Sequence, residues 1–144
     1  MQFDPENHVN KLCGQGMLLE GEGKTDEAAK LFYQAWNDAA NDQEKFTAAH
    51  FVARHQKDAT DKLKWDEIAL EFAFKISGEE IKGCYPSLYL NIGKCYEDLQ
   101  NPTLAIENYR LALSFASFLS DDGYGRMIKG GIEDGISRVQ IESN

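Results

Sequence analysis

The sequence predicts an all-α protein of about seven helices, arranged as a stack of antiparallel hairpins. Three observations carry this. Apolar residues recur at three- and four-residue intervals along most of the chain, and strand-like alternation is nearly absent. Helix start signals, an Asp or Asn followed by Pro, recur in "FDPENHV" and "NPTLAIENY". Small residues also repeat at a fixed distance: Gly16 precedes Ala28 by twelve positions, and Gly93 precedes Ala105 by twelve. Equal spacing in two distant segments marks a repeated supersecondary unit.

The first helix is expected to begin with Asp4 as N-cap and Pro5 in its first turn. It runs through Val9, Leu12, Gly16 and Leu19 to a break at Gly21 and Gly23. The second carries Ala28, Leu31, Phe32, Ala35 and Trp36 on one face, with Asp26 and Glu27 in the first turn, where negative charge is favoured. Further helices fit about 43–57, 62–77, 84–100 and 102–118. The expected pairs span about 5–41, 43–77 and 84–118 within one domain of residues 1–144. A last helix at about 121–141 has a stripe of Ile128, Ile132, Ile136 and Val139, with Asp121 or Asp122 as its cap. Gly130, Gly131 and Gly135 weaken it by about 1 kcal/mol each relative to Ala. Close packing on the preceding pair would offset that cost; a lid is the competing reading.

The pairs are similar in detail. Leu12, Gly16 and Leu19 lead to Ala28, Phe32 and Ala35; Tyr89, Ile92, Gly93 and Tyr96 lead to Ala105, Tyr109 and Ala112. This pattern resembles the tetratricopeptide repeat family over roughly residues 8–120. The resemblance implies a right-handed superhelical stack, an α-solenoid of three units closed by a capping helix. The middle unit is degenerate. Phe46, His50 and Ala53 stand at its first-helix positions, and Ala69, Ala73 and Ile76 fit its second helix. On that fit, nineteen residues separate His50 from Ala69, which implies a seven-residue insertion within "RHQKDATDKLK", about residues 54–64.

The resemblance also implies a concave groove for a peptide or protein partner, lined by Met17, Thr47, Phe51, Arg54, His55, Asn91 and Lys94. Arg54, His55 and Lys94 would form an anion or peptide-terminus site, with Phe51 as its apolar floor, since planar guanidinium donors suit a carboxylate. In the competing arrangement His50 is a core histidine and Arg54 pairs with an acid such as Asp58. Lys94, Glu97 and Asp98 read first as a solvated face. The family's carboxylate clamp for chaperone tails would fall on Cys13, Met17, Ala48, Ser87 and Asn91. Only Asn91 resembles its part, so that clamp is rejected.

"GEGKTDEA" suggests a phosphate-binding loop, but the first glycine of that motif would fall at Leu18, on a helix, so nucleotide binding is not expected. A net charge of −9 argues against nucleic acid and anionic membranes as partners. Cys13, Cys84 and Cys95 are odd in number and lack Cys-x-x-Cys spacing, which fits free thiols in a reducing compartment. No signal peptide or membrane span is expected, and the cytoplasm is the expected location. His50 and His55 are five apart, a poor spacing for a metal on a helix. No catalytic set, metal or cofactor is assigned. The first expectation is therefore a non-catalytic scaffold. The alternatives are a small-molecule sensor or enzyme with a pocket around His50, Arg54 and His55, drawing on Tyr85 and Tyr124, or a homo-oligomer paired through apolar end faces.

Overall fold

A computed structural model describes residues 4–143, with side chains to residue 140. Among these residues there are seven α-helices and no strand: α1 (His8–Gly21), α2 (Thr25–Asp38), α3 (Asp42–Arg54), α4 (Ala59–Phe74), α5 (Tyr85–Asp98), α6 (Pro102–Ser114) and α7 (Gly123–Ser143). Short 3-10 turns occupy Glu80–Cys84 and Ala116–Phe118. The chain forms two compact units, one ending at Ile76 and the other starting at Ser77.

Polar side chains set the helix starts. Asn7, rather than Asp4, caps α1 by accepting from the Asn10 N–H at 3.0 Å; Asp4 and Pro5 lie in the turn before it. Asn41 caps α3, and Asn101 caps α6 with Pro102 in the first position. Asp122 accepts from the Gly125 N–H at 2.9 Å at the start of α7. Each such bond satisfies a backbone donor that the helix leaves open. Between α1 and α2, Gly23 adopts a φ of +78°, which costs glycine little.

In the first unit α1–α2 and α3–α4 are hairpins around a core that includes Val9, Leu12, Cys13, Ala28, Phe32, Ala35 and Val52. Gly16 lets α1 and α2 close, and the group nearest to it is the fully buried Phe32 ring. A methyl group on Gly16 would overlap that ring. In the second unit Gly93 meets Tyr109 in the same way, with ring carbons 2.7 Å from where a Cβ would stand.

The α3–α4 hairpin corrects the expected insertion. α4 begins at Ala59, nine positions after His50, as Thr25 follows Gly16 and Pro102 follows Gly93 by nine. The register is therefore shared by all three hairpins. Ala69 corresponds to Ala35 and Ala112, and the positions of Ala28/Ala105 and Phe32/Tyr109 are taken by Lys62 and Asp66. Seven residues are close to two full helical turns, so a slip of seven leaves the same face inward and passes unnoticed in a periodicity. The additional residues lie instead between α4 and α5, over 75–84, against 39–41 between α2 and α3.

In the second unit α7 packs on α5 and α6. Ile128, Ile132 and Val139 of the expected stripe are buried, and Ile136 is half-buried. Gly135 rests on the Tyr109 ring and Gly131 faces Leu90. These are close approaches of helix to helix, as the packing reading of the glycine-rich helix requires.

Candidate functional site

The candidate site is the α1–α3 face of the first unit. Its base is the buried Phe32 of α2. Phe51 of α3 stacks on Phe32, with ring centroids 5.0 Å apart and planes 18° apart. His55, which follows the last residue of α3, tilts over the same ring at 5.2 Å. Thr47, Phe51 and Arg54 share one side of α3 because they are four and three residues apart. Thr47 Oγ1 donates to the Gln43 carbonyl at 3.0 Å, which leaves its methyl group free to pack.

Charge on this face converges on Glu20, from the last turn of α1. His55 Nε2 lies 2.7 Å from Glu20 Oε2, and Arg54 Nη2 lies 3.2 Å from Glu20 Oε1. The Arg54 guanidinium also sits 5.3 Å over the Phe51 ring, within cation–π range. Arg54 keeps 46% of its side chain exposed, whereas Glu20 and His55 keep 18% and 13%. Met17, one turn before Glu20, is exposed beside them. Arg54 thus pairs with an acid, and that acid is Glu20; Asp58 instead caps α4 through the Asp61 N–H at 2.8 Å.

At the N-terminal end of the same two helices is a polar cavity of about 220 Å³. Asn7, Asn10, Asn41, Gln43, Glu44 and Thr47 line it. Glu44 accepts from the Ala40 N–H at 2.9 Å and from Asn7 Nδ2 at 2.8 Å. These bonds hold its carboxyl below the usual carboxylate range, so Glu44 is ionised at neutral pH.

Residues 86–117 match the tetratricopeptide repeat family. The match falls on the α5–α6 hairpin, where Gly93 and Tyr109 interlock, and the first unit repeats that interlock at Gly16 and Phe32. Residues 86–117 thus form a helix pair of the tetratricopeptide type. No curated protein matches the sequence.

In the register shared by the three hairpins, Met17, Phe51 and Lys94 are equivalent, each directly following Gly16, His50 or Gly93. Lys94 lies in the second unit and pairs with Asp98 at 2.6 Å, both side chains about half exposed. Asn91, one turn earlier, is half-buried. Glu97 is not part of a solvated face. Its carboxylate is forked by Arg138, at 2.9 and 3.1 Å, and accepts from the Tyr109 hydroxyl at 2.6 Å. Arg138 and Tyr109 hold the Glu97 carboxyl below its usual range despite partial burial. Tyr85 is buried with its ring edge-on to Phe115 at 5.1 Å, and Tyr124 is exposed at the start of α7.

The middle hairpin, α3–α4, departs from the pattern at its interlock. His50 stands where the glycine does, between the Phe46 and Phe51 rings at 6.4 and 5.7 Å. Its Nδ1 is buried without a hydrogen-bond partner among the described residues. Lys62 donates to the buried carboxylate of Asp66 at 2.8 Å. Burial first, and then the charges of Arg54 and Lys62, push the His50 imidazole down to about 4, so it is neutral at pH 7.

Sequence reasoning selected Arg54, His55, Phe51, Met17 and Thr47, but it missed Glu20 and the asparagines of the cavity. Glu20 lies three residues after Met17 on α1, so helical spacing alone places it on the same face. Two of the three thiols are enclosed: Cys13 and Cys95 are buried, and burial pushes Cys13 up to about 12. Among the described residues no helix is long and apolar enough to cross a membrane, and no His, Cys, Asp and Glu cluster could hold a metal.

Proposed function

We propose that this protein is a non-catalytic scaffold that binds a peptide or protein partner on the α1–α3 face of its first unit. The observation that supports this is the Phe51–Phe32 stack, with exposed Met17 and half-exposed Arg54 at its edge. An apolar floor anchored in the core loses little side-chain freedom when a partner covers it, and a charged rim orients that partner. The polar cavity beside Thr47 extends the same face and offers amide donors and acceptors to a backbone. Asn91 and Lys94 are the binding positions proposed for the second unit.

The engagement of Arg54 and His55 with Glu20 favours this reading over a small-molecule pocket around His50, Arg54 and His55. A peptide array probed with the full chain tests it. The expected result is saturable binding that weakens at least tenfold in Phe51→Ala. Phe51→Ala and Met17→Ala binding every captured peptide as tightly as the unaltered chain would sink it.

A further inference from the structure

The middle hairpin carries a ring on α3 and a short acid on α4, the reverse of Gly16–Phe32 and Gly93–Tyr109. Its interlock is also polar. A glycine against an aromatic ring contributes only packing, and its strength does not change with pH. His50, Lys62 and Asp66 are titratable, and two of their polar atoms, His50 Nδ1 and the Asp66 carboxylate, are out of reach of solvent. We propose that the α3–α4 hairpin is a proton-operated switch: neutral His50 keeps α3 closed on α4, and a proton taken up from solvent by His50 loosens this hairpin.

The surroundings of His50 explain the direction. From α4 it is approached by the Lys62 ammonium, whose partner is Asp66, and from α3 itself by Arg54. Its ring neighbours are Phe46 and Phe51 of α3, and Phe51 in turn stacks on the apolar Phe32 of α2. Glu20 of α1 is engaged by Arg54 and His55. A positive charge at His50 would therefore stand buried beside two others, while the buried acid Asp66 is already paired with Lys62. The open hairpin, where the imidazole meets water, binds the proton more readily than the closed one. Stability of the hairpin is then complete above the ordinary histidine range and falls as pH drops through it. Phe51 and Arg54 lie on α3, so the switch acts on the helix that carries the candidate face.

Hydrogen exchange on the full chain, corrected for intrinsic rates, tests the proposal without any ligand. Its outcome is therefore independent of the proposed binding function. Between about pH 7 and about pH 5, α3–α4 amides should lose protection by about tenfold or more. Amides of α5–α6 should change by less than about twofold, because neither helix carries a histidine. In His50→Gln the loss on α3–α4 should disappear. Equal loss in both hairpins, no loss on α3–α4, or an unchanged loss in His50→Gln overturns the proposal. Imidazole nitrogen shifts of the unaltered chain give a second reading that needs no variant: His50 found protonated while α3–α4 amides remain protected also overturns it.

Discussion

The Tyr109 ring is in contact with Gly135 of α7: a Cβ added at Gly135 would stand 2.7 Å from the ring carbon that bears the hydroxyl. Gly93 of α5 meets the same ring, and the hydroxyl donates to Glu97, which Arg138 of α7 forks. One buried side chain of α6 thus joins three helices of the second unit.

Opposite outcomes follow for two glycines of α7. Gly135→Ala should destabilise the second unit by about 1–3 kcal/mol, because the ring is fully buried and held at both ends. Gly130 has nothing within 4 Å of an added Cβ, so Gly130→Ala should stabilise by about 0.5–1 kcal/mol through helix propensity. Urea unfolding of both variants checks the pair, and the signs should differ.

The Tyr109–Glu97 bond makes the second unit sensitive to pH at both extremes. Glu97 ionises more readily folded than unfolded, so its contribution is present above 4.5 and is lost as pH falls through its lower folded value. Burial first, and then the Glu97 carboxylate, raise the Tyr109 hydroxyl well above 10.0, so its contribution is present below 10.0 and is lost as pH rises toward the folded value. Thermal unfolding followed against pH should show both limbs. Tyr109→Phe should weaken the alkaline one, to which Tyr89, raised by burial, also contributes.

Glu20 is expected to restrain Arg54 and His55. Glu20→Gln should cost about 0.5–1 kcal/mol, since Arg54 is half exposed and solvent screens its share of the interaction. Side-chain NMR of Arg54 should show greater mobility in the variant, and an unchanged Arg54 signal would argue against the pairing.

Thiol accessibility gives a direct check of the cores. Cys84 is half-buried, whereas Cys13 and Cys95 are buried. With an aromatic disulfide reagent at neutral pH, Cys84 should react first. Cys13 and Cys95 should react only at the rate of unfolding, since burial keeps the Cys13 thiol protonated. Addition of denaturant should make all three react together.

Much of the fold could be read from the chain because its determinants are local. Periodicity located the helices, Asn101 and Asp122 marked two starts, and the Gly16 and Gly93 spacings identified the hairpins. The Arg54–His55 pair was also visible, because the two residues are neighbours in sequence at the end of α3. Its partner Glu20 was not, since thirty-four residues separate Glu20 from Arg54 and nothing local joins them. The register of α4 was obscured by Lys62 and Asp66, which occupy positions where a small or aromatic residue would have shown it. Asp58 was the available signal, a capping acid three positions before Asp61.

The sequence by itself determined helix type, approximate helix limits and the pairing of helices into hairpins, because these depend on contacts within a few turns of chain. Only the tertiary structure decided that Gly16 and Gly93 meet rings, that His50 stands in a polar interlock and that Glu20 and Arg138 complete ion pairs. Each of those depends on which side chains from distant segments reach the same point, and there packing volume and charge choose the partner.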